Sequence, residues 1–346
     1  MLRPAAHRPK EPALAFPRLR YMGSKYRLLP ALRAVFATLG FDSALDPFSG
    51  SAVVAHALKG MGKRVTASDY LEFAATVARA TVENDRVRLG EAAVERLCGP
   101  PLDDRDFILR TFRGRFFPDE DLRFLDAAWS HLDRMAGHER DLAIAALCLA
   151  AARKQPRGVF TVTGLRYDDG RRGLRLPLRD HFREAAAAYN AAVLDTGRPC
   201  RAARADVFDT DPAGHDLVYL DPPYAPPRDD NCYIKRYHFL EGLSVYWRGV
   251  EIMEGTATRK LAKRPTRFSS KRTTHAALAE LFDRFRGSTI VLSYGSNSLP
   301  PAAELHAMLA RVKRRVEVHQ LDHRYSFGTH AQARRRLASE YLFVAR

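Results

Sequence analysis

The chain has 346 residues, with 56 Lys and Arg against 40 Asp and Glu, a net charge of +16. That length suits one elaborated domain or two modest ones, and a 46% hydrophobic, 28% charged composition argues against wholesale disorder. No apolar run approaches the roughly 20 residues that span a bilayer; the longest, Leu142 to Ala152, has the length of a core helix.

Met1 to Arg18 holds no apolar signal segment, so a cytoplasmic protein is expected. Cys98, Cys148, Cys200 and Cys232 are too scattered for a disulfide framework or a zinc site, and no metal is expected. A pI near 10.0 fits a polyanionic partner, but charge alone does not choose one.

In chain order, residues 1–17 are rich in Pro, Ala and Arg without apolar period and predict a disordered basic arm. Leu28, Leu29, Leu32, Val35, Phe36 and Leu39 have helical spacing, ended by Gly40. Ser43–Leu45 predicts a short strand running into Asp46-Pro47-Phe48-Ser49-Gly50-Ser51, and the apolar positions from Val53 to Met61 a helix. Lys63–Ala67 predicts a second strand ending at Ser68-Asp69, and Leu71–Val82 a helix. Strand, turn, helix, strand is how a doubly wound parallel sheet begins.

From residue 84 to about 152 the pattern is helical, broken at Gly99-Pro100-Pro101 and Gly137. Val159–Thr163 and Leu174–Leu176 alternate around Asp168-Asp169-Gly170 and predict a β-hairpin studded with Arg157, Arg166, Arg171, Arg172, Arg175 and Arg179. An Ala-rich helix, His181–Leu194, follows. Strands are expected at 201–206 and 216–220, then a polar segment over about 225–272. Beyond it come a helix (274–285), a strand (289–293), a helix (302–312) and strands at 315–320 and 340–344. The economical architecture is one α/β domain, 18–83 and 200–346, with a mainly helical module, 84–199, inserted and carrying the hairpin.

Two motifs carry the chemistry. Asp46-Pro-Phe-Ser-Gly is a strand-to-helix turn at the end of a strand, where open sheets bind ligands. Asp69 lies 69 − 46 = 23 residues on, at the end of the next strand, where an acid suits ribose hydroxyls. With neither G-x-G-x-x-G nor a P-loop, a nucleoside cofactor without pyrophosphate is favoured. Asp221-Pro222-Pro223-Tyr224 is sharper. Consecutive prolines fix the backbone, so the Asp221 carboxylate and the Pro222 carbonyl can accept both hydrogens of one exocyclic amino group. Tyr224 offers a face on which a flipped base can stack. His238-Phe239 is placed either at the base pocket or in helix packing.

With Arg20-Tyr21-Met22-Gly23-Ser24-Lys25 in front and Ala205-Asp206-Val207-Phe208 between, these motifs stand in the order found in Dam-like DNA adenine-N6 methyltransferases. The chain resembles that family at both ends and leaves the central insertion unmatched. The resemblance implies a Rossmann-like sheet, S-adenosyl-L-methionine as cofactor, and methyl transfer to a flipped adenine in double-stranded DNA. It implies Tyr21, Gly23, Lys25, Asp46, Phe48, Gly50, Asp69, Asp206 and Asp221 as cofactor residues. Asp221, Pro222, Pro223 and Tyr224 become the catalytic element. It also places the target-recognition region where the Arg-rich hairpin is expected, with Lys235 and Arg236 as further DNA contacts. Cytosine-N4 methylation, RNA adenine methylation and a DNA-binding module with a degenerate cofactor pocket are the rivals. A monomer is expected, and a companion restriction endonuclease is left open.

Overall fold

The computed structural model describes residues 16–155, 158–161, 172–224, 233–268, 270–324 and 337–346. Seven strands form one sheet: β1 (Ser43–Asp46), β2 (Arg64–Asp69), β3 (Arg201–Arg204), β4 (Leu217–Leu220), β5 (Thr289–Gly295), β6 (Val316–Arg324) and β7 (Leu337–Ala345). Their order is β3-β2-β1-β4-β5-β7-β6, and β7 alone runs antiparallel to its neighbours. The mixed sheet, mostly parallel, is of the Rossmann-like methyltransferase kind. β1 and β4 are buried throughout, as expected of central parallel strands covered on both faces.

The chain moves outward from β1 to β2 on one side and from β1 to β4 on the other. Between them lies the point where strand order reverses, and the carboxyl ends there open a crevice. Asp46, Asp69 and Asp221 stand at the ends of β1, β2 and β4.

One face of the sheet is covered by α1 (Leu29–Phe36), α2 (Val53–Gly60) and α3 (Glu72–Ala78), the other by α11 (Lys271–Arg284) and α12 (Ala302–Ala310). Pro30 lies in the first turn of α1, where its missing N–H is harmless, and Ser270 caps α11 by accepting from the Thr273 N–H. α3 continues into a π-turn, Arg79–Glu83, whose freed carbonyls of Thr81 and Asn84 receive the buried Lys59 ammonium.

Between β2 and β3 come α4 (Glu91–Leu97), α5 (Phe107–Phe112), α6 (Asp119–Leu132), α7 (Gly137–Arg153), α8 (Arg172–Arg175) and α9 (Leu178–Ala192). α7 is buried from Asp141 to Ala152, and its run of alanines admits close neighbours on every side. Its apolar contacts join the core of the sheet without a break.

Three expectations need correcting. Residues expected as the second strand of the Arg-rich hairpin, including Arg172 and Arg175, form the helical turn α8, and Arg179 lies in α9. The alternation of Leu174-Arg175-Leu176 was too short to tell a strand from a turn of helix. Most of the expected first strand and turn, with Arg157, Arg166 and Arg171, lies outside the described residues, as does Cys232. Secondly, the supposed polar segment contains α10 (Tyr233–Val245), a buried helix that presents Ile234, Tyr237, Phe239 and Leu240 to the core. Thirdly, Phe16 belongs to the fold rather than to the basic arm: its ring lies 4.7 Å from that of His56.

Candidate active site

The crevice at the switch point has an empty volume of about 1040 Å³, open solvent at its mouth included. Tyr21, Gly23, Lys25, Asp46, Phe48, Gly50, Asp69, Asp206, Asp221 and Pro223 all line it, so the expected cofactor residues are brought together from both ends of the chain.

The Asp46–Ser51 turn is shaped by its glycine. Gly50 has φ +50°, and a Cβ there would meet Tyr21 Cε1 at 2.8 Å, so backbone conformation and space both demand glycine. Tyr21 is stacked on Tyr237 with ring centroids 4.9 Å apart, while Tyr237 accepts a hydrogen bond of 2.6 Å from the Met22 N–H. α10 thus supports the segment before α1.

Asp69 ties the turn to β2. Its carboxylate accepts from the Gly50 N–H at 2.8 Å and the Leu71 N–H at 2.9 Å, leaving lone pairs for a ligand. Burial pushes its carboxyl up to about 6, against those two backbone bonds. Asp46 is raised well above the carboxylate range by burial, and then by the nearby Asp221. Its Oδ1 is buried without a hydrogen-bond partner. An unsatisfied carboxyl oxygen on a residue lining the crevice fits a cationic ligand group such as an ammonium or sulfonium, as S-adenosylmethionine carries, and such a cation would favour the ionised carboxylate. Asp206 lines the same crevice and accepts from the Phe208 N–H at 3.1 Å.

The Asp221–Tyr224 element follows β4. Asp221 Oδ1 lies 2.7 Å from the Lys25 ammonium and 3.1 Å from the Tyr224 hydroxyl. Lys25 also donates to the Tyr224 hydroxyl at 2.9 Å and to the Gly23 carbonyl at 3.0 Å, and stands 3.2 Å from Glu340 Oε1. Burial pushes the Asp221 carboxyl up to about 6, opposed by Lys25 and assisted by Glu340. Burial disfavours the Lys25 cation, yet Asp221 and Glu340 hold its pKa above the ordinary lysine value. Lys25 therefore meets the catalytic element directly, a contact that the family resemblance did not imply. Tyr224 packs against Tyr294 of β5, centroids 4.9 Å apart.

Other residues settle elsewhere. His238 is fully buried and bonded through Nε2 to the Phe160 carbonyl at 2.8 Å, and Phe239 stacks on Phe160 at 4.8 Å. Both are packing residues away from the crevice. Arg264, Thr266 and Phe268 line it as well, although they fall in the stretch 225–272 expected only to be polar. Phe268 lies edge-on to Phe48 at 5.5 Å and stacks with Phe208 at 6.1 Å, with Arg267 4.1 Å over the Phe208 ring. The spacing of Phe48, Phe208 and Phe268 in sequence carries no signal that they meet. Lys235 and Arg236 are half-buried in α10, and Arg172, Arg175 and Arg179 are exposed.

Sheet order and the switch-point crevice are those of a Rossmann-like methyltransferase fold. Residues 21–102 match the family described as D12 class N6 adenine-specific DNA methyltransferase, in agreement with the order of the motifs. It is 27% identical over 328 residues to the Type II methyltransferase M2.HphI of Haemophilus parahaemolyticus, covering 90% of this chain and 92% of that one. An alignment that long runs through most of residues 84–199, so the similarity is wider than the two ends that carry the motifs. No helix among the described residues is long and apolar enough to cross a membrane.

Proposed function

We propose that this chain transfers a methyl group from S-adenosyl-L-methionine to the exocyclic amino group of a flipped adenine in double-stranded DNA. The observation that carries the reading is the Asp221–Tyr224 element, set beside a crevice in which Asp46 keeps one carboxylate oxygen unbonded. When bound, S-adenosylmethionine supplies an electrophilic methyl on a sulfonium.

The protein's part is positioning and hydrogen-bond acceptance. Asp46 would face the cofactor's cationic end, Asp69 its ribose and Asp206 its adenine side, with Phe48 and Phe268 as apolar walls. Asp221 and the Pro222 carbonyl would accept both amino hydrogens, turning the nitrogen lone pair away from the ring. Tyr224 would stack on the base. The nitrogen sheds one proton on transfer, and Asp221, ionised above about 6, is placed to hold it. Lys25 occupies one side of the Asp221 carboxylate and would compete with the amino group for it.

Residues 84–199 would read the target sequence. The exposed Arg172, Arg175 and Arg179 would meet DNA there, joined by Arg157, Arg166 and Arg171 and by Lys235 and Arg236. A monomer would suffice, since one strand is modified per encounter. A restriction endonuclease of matching specificity is part of the proposal, checked by whether extracts cut unmethylated DNA.

Long-read sequencing of genomic DNA from cells expressing the protein or its Asp221→Ala variant tests the reaction. A methyladenine mark at one short motif, absent in the variant, is expected. N4-methylcytosine in the nucleoside digest would overturn adenine as target, and a mark confined to RNA would overturn DNA.

A further inference from the structure

Glu340 stands behind the phenol of Tyr224, and no motif accounts for it. It lies in β7 opposite Gly295 of β5 and is fully buried. Along β7 it shares a face with Leu342 and Val344, both core residues. A carboxylate in such a place is costly unless it is paired and hydrogen-bonded. Ser293 Oγ donates to it at 2.6 Å, the Tyr224 hydroxyl donates to it in a short bond, and the Lys25 ammonium lies 3.2 Å away.

We propose that Glu340 is a positioning residue for the transfer reaction: it holds the Lys25 ammonium and the Tyr224 hydroxyl from behind, so that Asp221 can turn its carboxylate to the target amino group. The proposal rests on the reading of Asp221 as the group that receives that amine. One ammonium is shared between two carboxylates, and both Lys25 and Tyr224 touch the same oxygen of Asp221, at 2.7 and 3.1 Å. Without the charge on Glu340, the whole attraction of Lys25 falls on Asp221, where it competes with the amine. Tyr224 would also lose its anionic acceptor, and with it the anchor that fixes the ring for stacking.

The groups that bear on Asp221 come from every side. Lys25 and Tyr21 precede α1, Asp46 ends β1, Tyr219 lies in β4, Tyr224 in the same loop, Tyr233 in α10 and Glu340 in β7. Among them Lys25 lowers the Asp221 pKa and Glu340 raises it. Neutralising Glu340 therefore moves the Asp221 midpoint down.

Glu340→Gln keeps size and hydrogen-bonding capacity while removing the charge. The Asp221 carboxyl is titrated by 13C NMR in the free protein, which needs no DNA. Single-turnover methylation and S-adenosylmethionine affinity are measured beside it. The expected result is a midpoint lower by about half a unit or more, a transfer rate down about tenfold or more, and cofactor affinity within about twofold. An unmoved midpoint overturns the proposal, and so does an unchanged rate. Loss of cofactor binding together with thermal stability would make Glu340 a support of the fold and overturn it too. If the Gln variant does not fold, Glu340→Asp, which keeps the charge but shortens its reach, must lose rate while binding cofactor; a wild-type rate there overturns the proposal. Wild-type protein that leaves no methyladenine would sink the reading of the reaction, whereas the Asp221 midpoint tests the Glu340 coupling regardless.

Discussion

The carboxylates at the ends of the strands and those at the ends of the inserted helices live under opposite electrostatics. Burial pushes Asp69 and Asp221 up to about 6. Asp133, just after α6, is held down to about 2 by hydrogen bonds from Arg248 and Arg105, and Glu95 in α4 is lowered by Arg183. The crevice concentrates anionic groups that folding alone does not favour, while the helical segment matches surface acids with arginines. A site proposed to receive a cationic cofactor and an amine would gain from such raised acids, and Asp46 Oδ1 there has no hydrogen-bond partner. A scaffold has no such need. Asp126 in α6 is buried and raised as well, but it is spent on the N–H groups of Ile108 and Leu109 at the start of α5 and on the Tyr246 hydroxyl.

The hardest test of that contrast is Asp221→Ala or Tyr224→Ala. Either is expected to cut the methylation rate by about a hundredfold or more, with calorimetric affinity for S-adenosylmethionine kept within a few-fold. Full activity in both would show that the element is only a turn. Next in size is Gly50→Ala. The added methyl must displace the Tyr21 ring or shift a loop whose φ is +50°. About tenfold weaker cofactor binding and about 1–2 kcal/mol of lost stability are expected, read by calorimetry and thermal unfolding.

The pH dependence separates the two regions by sign. Asp69 and Asp221 titrate above their ordinary 3.8 in the folded protein, so their contribution to stability is full below about 4 and is lost as pH rises through about 6. Asp133 titrates below it, so its contribution is present above about 4 and lost as pH falls toward 2. Thermal unfolding of Asp221→Asn should show less of the first loss, and Asp133→Asn less of the second. The transfer rate should climb with pH through about 6, as Asp221 ionises. A rate flat from pH 5 to 8, where chemistry limits turnover, would remove Asp221 from the proton's path.

The site was legible where local chemistry is unusual and hidden where it depends on distant pairing. Asp46, Asp69 and Asp221 each end a strand at a turn, and strand ends can be read from apolar runs. Glu340 could not be read that way, because its meeting with Lys25 depends on β7 entering between β5 and β6. The one available hint was a charge on the strand face of Leu342 and Val344. α10 was masked by Lys235, Arg236, His238 and Glu241, which lower its mean hydropathy although it is buried without a break from Tyr237 to Ser244, past a kink at Tyr237. The expected hairpin failed for the opposite reason: a three-residue alternation was taken for a strand where one turn of helix had formed.

The smallest expected effects belong to the exposed arginines before and within α9, and they decide what the helical segment is for. Arg172 is 75% exposed and paired only at the surface with Glu184 at 2.9 Å, and Arg179 lies 5.7 Å over the Phe124 ring. Neither contact is strong enough to demand arginine for stability. If these side chains meet phosphates, alanine at either position raises the KM for DNA about twofold to threefold, leaves kcat alone and lowers the slope of affinity against log salt by about 1. If one of them reads a guanine edge, its removal instead relaxes the target at one base, worth about 1–3 kcal/mol there, with little change at non-target DNA. Methylome sequencing of each variant separates the cases, since a lost phosphate contact dims every site equally and a lost base contact admits new ones. Wild-type KM, salt slope and target in all three variants, Arg172→Ala, Arg175→Ala and Arg179→Ala, would leave this face as a solvated scaffold and place recognition elsewhere.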